Sequence, residues 1–236
     1  MTNTTDFIKE QNLGYENFRK LALETRVTGL KADPNLEKKV GGFYIALKHD
    51  SEILSSVERF SRKIASNVPA IIYDDTAVHT TLGSHLATMG MVVDPRKPKH
   101  QDILLRMTWA VKETIKGWRN FSIDYTEYLH TSFVAIAAGI PDPAFVTLVN
   151  RLVLACEKCE IDLKPAWDAH ITLSRFKANV PAKKLAKFYR LFEETPPLGK
   201  SSPTTINVGY SRCIPRPNEK PEDVCGHFTN YRTFLL

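Results

Sequence analysis

His79-Thr80-Thr81-Leu82 and His170-Ile171-Thr172-Leu173 are two copies of one pattern, His-x-Thr-Leu, within a single chain of 236 residues. Composition alone produces such a pair about once in a thousand chains of this make-up, so the repetition calls for a cause. The flanks repeat as well. A short apolar run, Gly42-Phe43-Tyr44-Ile45-Ala46-Leu47, precedes the first copy, and Ile53, Val57, Phe60 and Ile64 between them fall on one helical face. Phe133-Val134-Ala135-Ile136-Ala137 precedes the second copy, and there Asp142-Pro143 opens a helix with Phe145, Leu148, Val149 and Leu152 on its apolar stripe. Phe43 precedes His79 by 36 positions and Phe133 precedes His170 by 37. Strand, helix and motif thus occur twice, which predicts two lobes related by a pseudo-twofold axis.

Strand geometry explains the spacing inside the motif. Side chains alternate between faces with period two, so His79 and Thr81 share a face, while Val78, Thr80 and Leu82 turn the other way. His170 and Thr172 likewise share a face opposite Ala169, Ile171 and Leu173. Each strand presents one titratable ring and one hydroxyl, and a twofold would gather two of each around one cleft. That set suits phosphodiester chemistry without a metal. A neutral imidazole takes a proton from the nucleophile and an imidazolium gives one to the leaving oxygen, both forms being accessible near the ordinary histidine pKa of about 6.5. The threonine hydroxyls can donate to non-bridging phosphate oxygens as charge builds there. Asp168, two residues before His170, lies on the same face and can orient that ring; the equivalent position in the first half is Ala77. The pattern leaves open which histidine is acid and which is base.

The remaining segments alternate between strand and helix patterns. Residues 1–40 read as a polar N-terminal extension with one amphipathic helix carrying Tyr15, Phe18, Leu21 and Ala22. Further helices are expected through Leu104, Met107, Val111 and Ile115, and through Leu185, Phe188, Tyr189 and Phe192. Further strands are expected at 70–73, 121–125, near Ile161, at 205–210 and at 228–235.

The paired motifs, each on a strand of a duplicated unit, resemble those of the 2H phosphoesterase superfamily, which includes the LigT-like RNA 2′,3′-cyclic phosphodiesterases. The resemblance covers residues 41–236, the 2H phosphoesterase domain on this reading, and leaves the 1–40 extension without a counterpart. It implies an α+β fold of two pseudo-symmetric lobes, each an antiparallel sheet with flanking helices, and an active-site cleft between them. It also implies metal-independent hydrolysis or cleavage of a phosphodiester in an RNA end or small oligonucleotide, as a 2′,3′-cyclic phosphate or a 2′–5′ linkage. His79, Thr81, His170 and Thr172 occupy the four family positions. A cyclic or 2′–5′ signalling oligonucleotide is the alternative substrate, and a non-catalytic nucleotide- or RNA-binding module is the alternative role.

Around this centre five residues are expected to touch substrate: Tyr44 by stacking on a base, Trp167 by capping the pocket, Arg175 by phosphate contact, and Tyr210 and Arg212 from a C-terminal strand. The basic loop 95–100 and the lysines at 183, 184 and 187 read as solvated charge. Cys156-x-x-Cys159 lacks a second close cysteine pair, and Cys156 sits on an apolar helix face, so no metal and no cofactor are expected. The composition, 43% hydrophobic and 25% charged, is that of a globular chain. No run is long enough for a membrane span, no leader pattern opens the chain, and four cysteines do not make a disulfide framework, so the expected location is the cytoplasm. The net charge of +6 fits an anionic partner, here RNA, an oligonucleotide or a cyclic nucleotide. A monomer is the expected state, although nothing in the sequence fixes it.

Overall fold

The computed structural model describes residues 3–37, 41–90, 93–118, 120–212 and 225–236, with backbone alone at 37, 211, 212, 225 and 226. Two sheets form its frame. One holds six strands in the order β2 (Ile72–Tyr73), β10 (Cys225–Leu235), β9 (Thr205–Arg212), β1 (Gly42–Lys48), β3 (Thr80–His85) and β6 (Leu163–Pro165). The other holds four: β7 (Ala169–Arg175), β5 (Val134–Pro141), β4 (Ile123–His130) and β8 (Gly199–Ser201). All pairings are antiparallel except that of β2 with β10. The repeat read from the sequence is present as β1–α3–β3 and β5–α5–β7, with α3 at Ser51–Asn67 and α5 at Pro143–Lys158. The α+β architecture of two sheets with flanking helices is therefore the one expected.

Capping explains where these two helices begin. Asp50 accepts the Ile53 N–H and Asp142 accepts the Ala144 N–H, each ahead of an apolar stripe that becomes fully buried. Their packing is less local than the repeat implies. Helix α3 packs on β2, β7 and α6 (Ala186–Glu194), while α5 packs on α4 (Pro98–Thr114) and reaches β6. Each helix thus covers strands of the opposite lobe, and one continuous apolar core runs through both. The last strands also cross back, since β9 pairs with β1 and β10 with β9.

The motif strands carry the same irregularity at the same place. Along β1, Ile45 faces Gly83 and Ala46 faces Thr81, so Leu82 is an extra residue. Along β5, Ala135 faces Ser174 and Ile136 faces Thr172, so Leu173 is the extra one. A bulge shifts the alternation by one residue beyond it. The positions that line the cleft are consequently 79, 81 and 84 on one side and 170, 172 and 175 on the other.

Helix α1 (Thr4–Thr28), capped by Asn3, is much longer than the apolar spacing indicates. Its buried positions are Phe7, Gln11, Tyr15 and Thr25, two of them polar, so the stripe is only partly visible as hydrophobic periodicity. The expected basic loop 95–100 is shortened because α4 begins at Pro98. His100 is buried there, edge-on to Phe43 at 5.4 Å. Among the described residues no helix is long and apolar enough to cross a membrane.

Candidate active site

A cleft of about 470 Å³ separates β3 from β7 and is lined by His79, Thr81, His170 and Thr172 together. His79 stands one residue before β3; the buried Ala77 and Val78 ahead of it and Thr80 after it fix its direction. Its Nδ1–H donates to the Ala77 carbonyl at 2.5 Å. A carbonyl only accepts, so this bond places the proton on Nδ1 and leaves the Nε2 lone pair for the cleft. Burial pushes the ring's pKa down to about 4, the Ala77 bond opposes this, and charge on His170 adds to the depression.

His170 has the same partner position but a different partner. Its Nδ1 lies 2.6 Å from Oδ1 of Asp168, a carboxylate that is only 2% exposed. A buried carboxylate against Nδ1 fixes the ring's orientation. Thr81 and Thr172 are half-buried, and neither hydroxyl has a hydrogen-bond partner among the described residues.

A buried polar network ties the two motif strands together. The Thr80 hydroxyl donates to the His170 carbonyl at 3.0 Å and stands 2.6 Å from the Tyr125 hydroxyl and 3.1 Å from His49 Nε2. His49 Nδ1 meets Ser201 Oγ at 2.9 Å. Burial pushes His49 down to about 3, so the ring is neutral and serves as a hydrogen-bonding joint. Its residues come from both sheets, and they set the distance between the two catalytic candidates.

Of the five expected substrate contacts, three reach the cleft. Tyr44 lines it because its neighbours Phe43 and Ile45 are buried in the core. Trp167 lines it with 39% of its surface exposed. Arg175 lines it at the position beyond the bulge, with Nη1 2.5 Å from Asp33 Oδ2 and Nε 3.3 Å from the Tyr73 hydroxyl. Tyr210 does not reach it. Its position opposite Phe43 in the β1–β9 ladder turns it to the core face, where it is 7% exposed and edge-on to that ring. The side chain of Arg212 lies outside the described residues.

The sequence reading missed Asp33, Asn35 and Leu36, which bring the N-terminal extension to the cleft, as well as Ser84 and Lys164. The bulges carry the missing signal for Ser84, which is the counterpart of Arg175. Cys156 is buried, and burial pushes its thiol up to about 12, as for a small apolar residue. Among the described residues no three histidine, cysteine or acidic side chains form a metal-binding group.

No family model matches the chain. Among solved structures it is similar to TT0787 of Thermus thermophilus, with 17% identity, 83% of this chain and 97% of that chain covered, and a TM-score of 0.50. It is also similar to LigT of E. coli complexed with phosphate, with 15% identity, coverage of 84% and 98%, and a TM-score of 0.49. The first of these is a likeness of fold. A curated protein, nucleolar protein 9 of Paracoccidioides lutzii, is 32% identical over 148 residues, covering 56% of this chain and 20% of that protein. The chain therefore spans about one fifth of the length of that relative. The two-lobed α+β arrangement implied by the 2H resemblance is the fold present here, and TT0787 shares it.

Proposed function

We propose that this chain is a 2H-type, metal-independent phosphodiesterase acting on a nucleotide phosphodiester, such as a 2′,3′-cyclic phosphate or 2′–5′ linkage at an RNA end or in a small oligonucleotide. One observation carries the reading: both histidines are held through Nδ1 by an acceptor from the residue two positions earlier, a neutral carbonyl for His79 and a buried carboxylate for His170. On this reading the difference supports separate roles. His79, neutral with an Nε2 lone pair, takes the proton from water or an attacking hydroxyl. His170, its positive charge supported by Asp168, gives a proton from Nε2 to the departing ribose oxygen. As the phosphorus passes through five-coordination, the Thr81 and Thr172 hydroxyls and the Arg175 guanidinium meet the charge on the non-bridging oxygens. Asp33 and Tyr73 hold that guanidinium in place.

The test is turnover in EDTA of 2′,3′-cyclic mononucleotides, cyclic-phosphate-ended RNA, 2′–5′ oligoadenylate and cyclic dinucleotides, by wild type, His79→Ala and His170→Ala. Cleavage that survives EDTA and needs both histidines is expected, and the preferred member identifies the substrate class. Activity abolished by EDTA would overturn the metal-independent mechanism. Tight binding of one member without turnover would replace the enzyme with a binding module.

A further inference from the structure

We infer that helix α1, which lies outside the span of the 2H resemblance, is the specificity element of this site: it holds Trp167 as a stacking platform for a nucleobase bound beside His170. The inference rests on the phosphodiesterase reading above. Its first support is where α1 lies. Tyr15 packs with Ile136 and Ala138, whose ladder partners on β7 are Thr172 and His170. Directly opposed residues share a sheet face, so α1 covers the continuation of the face that carries the two motif residues.

The second support is how α1 is attached. Gln11, fully buried, accepts the Ala169 N–H through Oε1 at 3.0 Å. The Tyr15 hydroxyl donates to the Gly139 carbonyl and accepts the Gly139 N–H, and Gly139 is the ladder partner of Ala169. These two polar side chains, on an otherwise packed helix face, fix the backbone between Asp168 and His170.

Trp167 is the third support. Tyr15 meets its ring edge-on at 5.8 Å and Phe18 stacks on it at 6.3 Å with planes 23° apart. A Cβ at Gly14 would stand 2.1 Å from Trp167 Cζ3, so only glycine lets the helix approach the indole this closely. The indole also lies 6.0 Å from the His170 ring and is exposed to the cleft. An aromatic ring braced by other rings and left open beside a phosphate-handling centre offers what a base needs, a flat rigid π-surface.

The experiment compares a nucleoside 2′,3′-cyclic phosphate with the 2,3-cyclic phosphate of methyl ribofuranoside, which has no base. The readout is the ratio of their kcat/KM values in the full chain. In an isolated helix Gly14→Ala would strengthen the helix. Here it is expected to lower the ratio roughly tenfold through KM of the nucleoside substrate, the scale of one base–aromatic stack. Trp167→Ala should lower the ratio equally, and the double variant no further, because both remove one platform. Phe18→Leu repeats the test should Gly14→Ala fold poorly. An unchanged ratio, or losses that multiply in the double variant, would overturn the inference. Failure of the wild type to turn over either substrate would instead count against the phosphodiesterase reading.

Discussion

The two halves of the cleft share a backbone and differ in charge. Each has a histidine, a threonine two residues on, a bulged leucine and a cleft residue five positions after the histidine. In the first half the residue two before the histidine contributes only its carbonyl and the residue five after is Ser84; in the second they contribute the Asp168 carboxylate and the Arg175 guanidinium. The surroundings diverge too. Asn207 occupies the place in the first sheet that Leu129 holds in the second, and a cavity of about 210 Å³ lined by Lys48, Asn207 and Phe228 stands where α1 packs on the other side. A duplicated fold thus supplies the symmetry of placement, and substitutions at two or three equivalent positions supply the asymmetry that the proposed division into acid and base requires.

The largest test of this difference is loss of either ring. His79→Ala and His170→Ala should each lower kcat by about 10²- to 10⁴-fold, with the double variant far short of the product, because the rings act in one step. Next come the hydroxyls: Thr81→Val should cost about 10²-fold in kcat, and Thr172→Val less, since Arg175 shares the charge on that side. Asp168→Asn should lower kcat by about 10- to 100-fold while leaving the far-ultraviolet circular dichroism unchanged, the loss of one charge-assisted hydrogen bond. If Asp168→Asn is neutral, the two halves are electrically equivalent and the role assignment falls.

Smaller effects probe the joint between the halves. Thr80→Val removes the hydroxyl that bonds the His170 carbonyl and should destabilise the fold by about 1–3 kcal/mol in a urea melt. Acid should act on the buried rings in a predictable direction. His49 and His130 are neutral in the folded chain, held by burial down to about 3 and about 4, whereas the unfolded chain protonates near 6.5. The unfolded state therefore binds more protons below about pH 6.5, and stability is present above that pH and lost as pH falls toward about 4, by at most about 1.4 kcal/mol per pH unit per ring. Melting temperatures at pH 7, 5.5 and 4.5 should fall in that order. With His79 held down to about 4, kcat/KM should keep its basic form through pH 5 and lose it only below.

Local patterning made the repeat legible because strand alternation and helical stripes are properties of neighbouring residues. The same logic put Tyr44 and Asp168 on the cleft side and Phe43, Ile45, Ile171 and Leu173 in the core. It placed Tyr210 in the site because nothing nearby in sequence says that β9 pairs with β1 in the register that turns Tyr210 inward. It undervalued α1 because the residues that anchor the helix, Gln11 and Thr25, are polar, and hydrophobic periodicity does not count them. Ser84 escaped because a single bulged residue reverses the alternation beyond Leu82.

The sequence by itself determined the duplicated strand–helix–strand unit and the faces of its strands, which follow from periods of 2.0 and 3.6 along the chain, while the repeated His-x-Thr-Leu pattern marked the four residues proposed for the centre. Only the tertiary structure decided what surrounds them. That Asp33 reaches Arg175, that Thr80 joins the lobes and that α1 braces Trp167 are contacts between residues 90 or more positions apart. Such contacts form when two sheets share one core, and the pairing energy that selects them is written in no single segment.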